Sequence, residues 1–245
     1  MKNKTFGLIG RNISYSFSAG YFKEKFEQMG VGHTYRNFDI DDIEEFRHIK
    51  TNTKGLKGLN VTIPYKEEVI PLLDSLSKKA KVIGAVNTIT ISKKGKTKGH
   101  NTDWFGFKKA LKPLLKKRHK KALILGTGGA SKAVAFALRD LKIEYDFVSR
   151  EGNEYLLSYA ELNREVFDDY QIIINTTPLG TFPNVNECPP IDYSLFTKDH
   201  IAFDLVYNPA ETLFLKKAKE NGAKIKNGYD MLVYQAEKAW AIWNK

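Results

Sequence analysis

A glycine-rich segment near the middle of the chain has the residue types and spacing that hold a phosphate group. The apolar residues 122–125 are followed by Gly126, Thr127, Gly128, Gly129 and Ala130, and helical spacing of apolar residues begins after them. Gly126 permits a tight turn, Gly128 lets backbone approach a pyrophosphate, and the small residues that follow allow a helix to start nearby. Ser131 replaces the usual third glycine. The pattern predicts a nucleotide site, with an ordinary strand-to-helix loop as the alternative.

Polar residues follow several of the other predicted strands, and two of them form a possible acid–base pair. Lys66 lies just beyond the predicted strand 58–64, and Asp103 follows Asn101 and Thr102. Ligands of open α/β sheets bind beyond the carboxyl ends of strands, and a lysine beside a carboxylate at a domain junction can move a proton. The simpler alternatives are a surface lysine that opens a helix and an aspartate that caps one.

Hydroxyl groups early in the chain could bind a carboxylate. Ser16 and Ser18 lie in the polar segment 10–18, after the first predicted strand. Serines in loops more often bond nearby backbone, and Ser18 is also placed to cap the next helix. That helix is expected to carry Phe22, Phe26 and Met29 on one face and to stop at Gly30.

Strands and helices must alternate to position these residues. Strands are predicted at residues 6–9, 34–38, 58–64, 85–91, 97–102, 122–125, 145–148, 171–175 and 201–205. Helices are predicted after Ser18, at 41–49, 66–76 and 103–115, after the glycine turn, and at 212–221 and 231–243. Strands that alternate with helices twice over indicate two α/β domains with mainly parallel sheets.

Composition excludes several classes of protein. The chain has 245 residues, 42% hydrophobic and 27% charged, which is typical of a globular protein with a real core. Cys188 is its single cysteine, so an intramolecular disulfide is impossible and a reducing compartment fits. We see no leader peptide and no apolar span of membrane length, so a cytoplasmic location is expected, and no metal site is predicted.

The net charge of +11 raises the question of nucleic-acid binding. Basic residues crowd segment 108–121, without an acid among them. No aromatic interleaving or RNA-binding signature accompanies this run, so a solvated helix face and linker is the preferred interpretation. A positive field of this kind would also attract small anions.

Eight motifs in order show that the chain resembles the shikimate dehydrogenase family almost from end to end. They are an S-x-S within residues 10–18, N-V-T-x-P-x-K at 60–66, G-A-V-N-T at 84–88, N-T-D at 101–103, G-x-G-G-A at 126–130, N-x-T-P-L-G at 175–180, Y-N-P-x-x-T at 207–212 and G-x-x-M-L-V-x-Q-A at 228–236. The resemblance implies an N-terminal substrate domain (1–103 plus 229–245), a Rossmann-like NADP-binding domain (104–228) and an interdomain cleft.

The resemblance also implies a reaction and roles for residues. It implies an oxidoreductase that reversibly reduces 3-dehydroshikimate to shikimate with NADPH, in chorismate and aromatic amino-acid biosynthesis. Lys66 and Asp103 would be the acid–base pair. The substrate would be bound by Ser16, Ser18, Thr62, Asn87, Tyr207 and Gln235. The cofactor would be bound by Gly126, Thr127, Gly128, Gly129, Ala130, Ser149, Arg150, Leu205 and Gly228. A monomer or homodimer is expected, without nucleic-acid or membrane partners.

The choice between NADP and NAD can be argued from the end of the strand at 145–148. NAD sites place an acid on the ribose there, and NADP sites place a cation. Asp146 has the sequence spacing of the acid but falls inside the strand, whereas Ser149 and Arg150 occupy its end. We therefore expect NADP, with NAD as the less favoured cofactor because Glu151 and Glu154 follow closely.

Two alternatives to this enzyme stay open, the first because several residues depart from those usual in the family and the second because of the basic segment 108–121. Asn12 and Ala19 stand where prolines are common, Tyr15 replaces a frequent histidine, and Trp104 replaces a glycine after Asp103. A quinate/shikimate dehydrogenase with NAD preference would accommodate such changes. A nucleic-acid-binding relative without catalytic activity is the second alternative.

Overall fold

The computed structural model describes residues 3–13 and 16–245, and its contacts divide the chain into two compact units. The first unit is Met1–Thr102 with Ala236–Lys245, and the second is Asp103–Gln235. Each unit contains one six-stranded sheet with helices, which confirms the predicted pair of α/β domains. The family resemblance predicts that the chain passes back into the first domain at residue 229. The last helix, which begins there, changes unit at residue 236.

The sheet of the first unit is mixed. Its strands are β1 (Thr5–Gly10), β2 (Thr34–Asp39), β3 (Leu56–Val61), β4 (Ser75–Leu76), β5 (Thr88–Ile91) and β6 (Thr97–His100), in the order β2-β1-β3-β5-β6-β4. Its helices are α1 (Phe17–Gln28), α2 (Glu45–Asn52) and α3 (Lys78–Ile83). Because β5 is antiparallel to β3 and to β6, only part of this sheet has the predicted parallel arrangement.

The sheet of the second unit is parallel throughout. Its strands are β7 (Lys121–Leu125), β8 (Glu144–Ser149), β9 (Leu157–Ser158), β10 (Ile172–Asn175), β11 (Ile201–Asp204) and β12 (Lys224–Lys226), in the order β12-β11-β10-β7-β8-β9. Its helices are α4 (Asp103–Leu111), α5 (Gly129–Asp140), α6 (Arg164–Asp169), α7 (Leu213–Glu220) and the first turns of α8 (Tyr229–Trp243). The strand order reverses between β7 and β10, where doubly wound sheets bind ligands.

The end of α8 is part of the first unit's core. Phe22 and Trp243 are buried on one side of the sheet and their rings lie 5.3 Å apart. The Trp243 indole Nε1 donates to the Ile89 carbonyl at 3.0 Å. Gly58 leaves the space for this ring, since a Cβ there would overlap the indole. The apolar spacing predicted for the last helix therefore reflects a real packing face.

Four predictions of local structure were wrong. Segment 66–76 forms turns, a 3₁₀ turn at Ile70–Leu72 and strand β4, because Pro71 lacks the N–H that a continuous α-helix through this segment would need. Ser16, not Ser18, occupies the N-cap position of α1. Met29 is 47% exposed, although Phe22 and Phe26 are buried as predicted. Helix α2 also starts later than predicted, at Glu45.

None of the helices within residues 3–13 and 16–245 is both long enough and apolar enough to cross a membrane.

Candidate active site

Residues of the first unit that are predicted to bind the substrate lie at one edge of its sheet. The parallel strands β1 and β3 end there, and Thr62 follows β3 directly. Strand β5 runs the opposite way, so it begins at this edge, with Thr88 opposite Asn60. Asn87 precedes β5 and therefore lies beside the end of β3, where its carbonyl accepts from the Val61 N–H at 2.9 Å.

Asn87 is buried, 2% exposed, and held by its neighbours in a defined orientation. Its Oδ1 accepts from the Thr102 backbone N–H at 2.7 Å, and its Nδ2 donates to Thr102 Oγ1 at 3.0 Å. The Asn60 Nδ2 donates to the Asn87 carbonyl at 3.1 Å. A side chain held in this way offers a fixed polar group to a ligand.

Ser16 and Ser18 lie at the start of α1, Ser16 at its N-cap position and Ser18 in its first turn. The Ser16 hydroxyl is buried and has no hydrogen-bond partner in the part of the chain that the structure describes. Ser18 hydrogen-bonds the side chain of Tyr35, whose hydroxyl donates to Asn60 Oδ1 at 2.8 Å. Burial raises the pKa of Tyr35, so its hydroxyl stays a donor at neutral pH. A buried hydroxyl without a partner carries a free-energy cost that a bound ligand would relieve.

Asn12, which stands where the family commonly has proline, lies shortly before these serines. Asn12 has φ of 57°, which proline cannot adopt because its ring holds φ near −65°. The Asp39 carboxylate accepts from the backbone N–H groups of Asn12 at 2.7 Å and Ile13 at 3.2 Å. Ser14 and Tyr15, the next two residues of the motif, lie outside the described residues.

Lys66 is half-buried at the same edge of the first sheet. Its carbonyl accepts from the Val86 N–H at 2.7 Å, which holds its backbone next to the segment that carries Asn87. The turn before it is closed by the Tyr65 N–H, which donates to the Thr62 carbonyl at 2.9 Å. The structure thus brings Thr62, Lys66 and Asn87 together within the first unit.

Asp103 and Gln235 belong to the second unit, on two helices that pack closely. Asp103 is the first residue of α4 and is 2% exposed. One turn later, a Cβ on Gly106 would overlap the Met231 carbonyl and lie 3.2 Å from the Gln235 Cβ. The absence of a side chain at Gly106 lets α4 approach α8 and brings the start of α4 near Gln235. Trp104, the residue after Asp103, packs edge to face on Phe136 of α5, 5.5 Å away.

The glycine turn has the geometry expected of a phosphate site. Gly126 has φ of 105°, and a Cβ there would lie 2.9 Å from Thr176 Oγ1. Gly128 is the N-cap of α5, with open space where a Cβ would be. Ser131 is buried and its hydroxyl donates back to the Gly128 carbonyl at 2.6 Å. The first turn of α5 contains no acid, so its backbone N–H groups present positive potential to a ligand.

The end of β8 carries Ser149 and an exposed Arg150. Asp146 lies within the strand, and its carboxylate accepts from the Tyr170 hydroxyl. The Asp146 carboxylate therefore has a hydrogen-bond partner within the protein and does not need the ribose of a bound cofactor as one. The Ser149 hydroxyl donates to the Glu151 carbonyl, which places the backbone of that acid next to the same strand end.

Leu205 and Gly228, both predicted to bind the cofactor, are in direct contact. A Cβ on Gly228 would overlap the Leu205 carbonyl oxygen, and the Gly228 N–H donates to the Val206 carbonyl at 3.1 Å. Both residues follow strands at the carboxyl edge of the second sheet, and the half-buried Tyr207 lies two residues beyond Leu205.

One polar cluster at this edge was not predicted from the sequence. Asp204 is fully buried, and its carboxyl accepts from Asn175, Val206 and Thr212. Burial raises the pKa of Asp204 to about 7, against the opposing effect of these three donors. An aspartate that ends an apolar strand is a signal that could have indicated it.

Comparison with known proteins identifies relatives over nearly the whole chain. The sequence profile described as the shikimate dehydrogenase substrate binding domain matches residues 8–89. A shikimate dehydrogenase (NADP(+)) of Clostridium perfringens is 41% identical over 254 residues, which cover 98% of this chain and 92% of the relative.

Solved structures agree with this. A crystal structure of a shikimate dehydrogenase in complex with NADP+ superposes with a TM-score of 0.87 at 34% identity, over 98% of this chain and 90% of that one. A quinate dehydrogenase from Corynebacterium glutamicum, in complex with NAD, superposes with a TM-score of 0.86 at 29% identity, over 98% of this chain and 93% of that one.

Proposed function

This chain belongs to the shikimate dehydrogenase family, and we propose that it is an NADP-dependent enzyme that reversibly reduces 3-dehydroshikimate to shikimate. The observation that carries this proposal is the 41% identity to a shikimate dehydrogenase (NADP(+)) over a span that includes both units. The enzyme would serve chorismate and aromatic amino-acid biosynthesis, in the cytoplasm. Cys188, whose thiol is free, is compatible with that reducing compartment.

The first unit would bind the substrate. We assign the substrate carboxylate to Ser16 and Ser18, because the Ser16 hydroxyl is buried without a partner among the described residues. Thr62 and Asn87 at the strand edge would contact hydroxyl groups, together with Tyr207 and Gln235 from the second unit. The hydrogen bonds that hold Asn87 keep its amide in one orientation, which favours recognition of a fixed hydroxyl pattern.

Lys66 and Asp103 would form the acid–base pair. A ketone that receives hydride becomes an alkoxide, and a neighbouring ammonium both stabilises and protonates it. Asp103 would orient the Lys66 ammonium, and the microscopic reverse would take the proton from shikimate. Proton transfer by a positioned side chain contributes about 10² to 10⁴ in rate.

The second unit would hold the cofactor, which supplies the hydride when bound. The residues present fit it: Gly128 leaves open space at the start of α5, and no acid stands in the first turn. Gly126, Thr127, Gly129 and Ala130 complete this turn around the diphosphate. Ser149 and Arg150 would contact the 2′-phosphate of NADP, and Leu205 and Gly228 would line the opposite end of the site.

A second candidate is a quinate/shikimate dehydrogenase that uses NAD. Glu151 directly follows Arg150, and its backbone is tied to Ser149, so an acid lies near the proposed phosphate contact. The structural similarity to a quinate dehydrogenase in complex with NAD supports the same alternative.

One spectrophotometric experiment separates the two. The purified protein is assayed for nicotinamide reduction with shikimate and with quinate, each with NADP+ and with NAD+. We expect the highest kcat/KM for shikimate with NADP+. Activity on quinate with NAD+ alone would replace the first proposal by the second, and no turnover in any combination would contradict both.

A further inference from the structure

The last residues of β10 and β11 form a pair of linked turns at the edge of the second sheet. Asn175 and Asp204 lie opposite each other in the parallel register, and Asn175 Nδ2 donates to Asp204 Oδ1 at 3.0 Å. Each side chain also accepts from the N–H two residues later: Asn175 from Thr177 at 3.0 Å, and Asp204 from Val206 at 3.0 Å. The turns that leave two neighbouring strands are therefore joined through a single pair of side chains.

A third element is tied to the same carboxyl group. The Thr212 hydroxyl donates to Asp204 Oδ2 at 2.5 Å, and its oxygen accepts from the Leu215 N–H at 3.3 Å as the N-cap of α7. Asp204 and Thr212 are both fully buried. A buried carboxyl that joins two turns and a helix start defines its surroundings strongly, because the Val206 N–H and the Thr212 hydroxyl would lose their acceptor without it.

These turns carry or contact the residues assigned above to the cofactor. Leu205 follows Asp204 directly, and its N–H donates to the Asn175 carbonyl at 3.0 Å. On the other side, Thr177 donates its hydroxyl to Asn175 Oδ1 at 2.6 Å, and its Cγ2 would lie 3.1 Å from a Cβ on Gly126. A chain of contacts therefore runs from Asp204 through Asn175 and Thr177 to the glycine turn.

We propose that Asp204 is a positioning residue for the cofactor site, through which Leu205 and the glycine turn are held in register. This inference rests on the proposed function, since it concerns the same NADPH site. Asp204 touches neither substrate nor cofactor in this proposal; it acts through Asn175, Val206 and Thr212. Asp204 is fully buried and accepts hydrogen bonds from three residues, which favours this role over that of an ordinary surface turn residue.

The test compares four variants for folding, NADPH binding and kinetics. Asp204→Ala removes all three acceptor contacts, whereas Asp204→Asn keeps the oxygen that faces Asn175 and Val206. Thr212→Val removes a single hydroxyl at nearly constant volume. Tyr170→Phe is the matched control, because it removes a hydroxyl bonded to another carboxylate, Asp146, in the same sheet.

We expect Asp204→Ala to weaken NADPH binding and to lower kcat by about tenfold or more, since small displacements of positioning groups cost up to about 10² in rate. Asp204→Asn should retain most of the NADPH affinity and most of kcat. Thr212→Val should lower both quantities, as Asp204→Ala does. Tyr170→Phe should leave both at the wild-type level. NADPH binding is measured by its fluorescence, without turnover, and folding by circular dichroism.

Several outcomes would overturn the inference. Folded Asp204→Ala with wild-type NADPH affinity and kcat would reduce Asp204 to a stability role. If Asp204→Ala does not fold, Thr212→Val decides, and kinetics equal to those of Tyr170→Phe would reject the inference. Asp204→Asn as impaired as Asp204→Ala would assign the effect to charge rather than position.

The proposed function is tested separately by wild-type turnover. A wild type that binds NADPH but turns over neither shikimate nor quinate contradicts the proposed function, while binding by the variants still decides the role of Asp204. A wild type that binds neither NADPH nor NADH contradicts both.

Discussion

The carbonyl oxygen of Leu205 occupies the space into which a side chain at Gly228 would project. A Cβ on Gly228 would overlap this oxygen and the carbonyl carbon, and both atoms belong to backbone that cannot rotate away. The Gly228 N–H also donates to the Val206 carbonyl at 3.1 Å, which fixes the approach from the other side. The last helix therefore begins where only glycine fits, beside a residue assigned to the cofactor.

Gly228→Ala should displace Leu205 and the start of α8. We expect a loss of stability of about 1–3 kcal/mol, typical of overpacking, together with a higher KM for NADPH. Thermal unfolding and steady-state kinetics measure the two effects. Gly20→Ala is the control, because a Cβ there meets nothing within 4 Å and the helical position should gain up to about 1 kcal/mol. An unchanged melting temperature in Gly228→Ala would contradict this account.

Lys66→Ala should lower turnover by about 10² to 10⁴, because it removes the proposed proton donor. NADPH affinity should stay at the wild-type level, since Lys66 belongs to the first unit and the glycine turn to the second. The measurements are kcat with saturating shikimate and NADPH fluorescence. Lys98→Ala, which removes an exposed lysine of β6, is the charge-matched control. Near-normal turnover of Lys66→Ala would remove this lysine from the catalytic role.

Ser16→Ala should raise the KM for shikimate without a loss of stability. The Ser16 hydroxyl makes no cap contact with α1 and is buried without a partner among the described residues, so its removal costs the folded protein no hydrogen bond there. Loss of a hydrogen bond to a charged group costs about 1.5–3 kcal/mol, or roughly tenfold to a hundredfold in KM. Ser18→Ala is the comparison, because its hydroxyl bonds Tyr35. A lower melting temperature with an unchanged KM in Ser16→Ala would contradict the assignment.

Arg150→Ala should discriminate between the two nicotinamide cofactors. A lost contact to the 2′-phosphate should raise the KM for NADPH by roughly tenfold to a hundredfold and leave that for NADH nearly unchanged. Lys120→Ala removes an exposed lysine just before strand β7 and controls for the change in net charge. Equal effects on both cofactors would refute the phosphate contact.

Asp204 should make stability depend on pH. Its pKa in the folded protein is raised to about 7 by burial, above its ordinary value near 3.8, so the folded state holds a proton that the unfolded state has lost between these values. The contribution of Asp204 to stability should therefore fall as pH rises from about 4 to 7, by at most about 4 kcal/mol for a shift of about three units.

Chemical denaturation of the wild type and of Asp204→Asn at pH 5 and pH 8 measures this effect, and the variant should lose the part of the pH dependence that Asp204 contributes. Asp74, whose pKa is lowered by its bonds to Lys96 and Thr97, is ionised at both values and does not interfere. An unchanged pH dependence in Asp204→Asn would show that another group is responsible.

The sequence predicted the elements whose pattern is local. Residues 122–125 and 201–203 are uninterrupted apolar runs, and both lie in buried strands of the parallel sheet. The glycine turn was predicted because its backbone demands glycine itself, and Gly126 indeed has a positive φ. Segment 66–76 failed as a helix because Pro71 opposed a pattern that otherwise favoured one.

Long-range contacts could not be predicted from local pattern. Asn175 and Asp204 are 29 residues apart, and their hydrogen bond follows from a strand register that no short segment encodes. The antiparallel direction of β5, which brings Asn87 beside Thr62, also depends on the whole sheet. The packing of Gly106 on α8 depends on Met231, which lies 125 residues further along the chain.

The order of motifs along the chain was enough to determine the family and its chemistry, because each motif is a short backbone shape or reactive side chain with its own residue requirements. Tertiary structure alone decided which hydroxyl is buried without a partner, which carboxyl joins two strand ends, and which glycines admit a neighbouring backbone. Burial and hydrogen-bond partners are properties of the surroundings in space, and those surroundings are made by residues distant in the sequence.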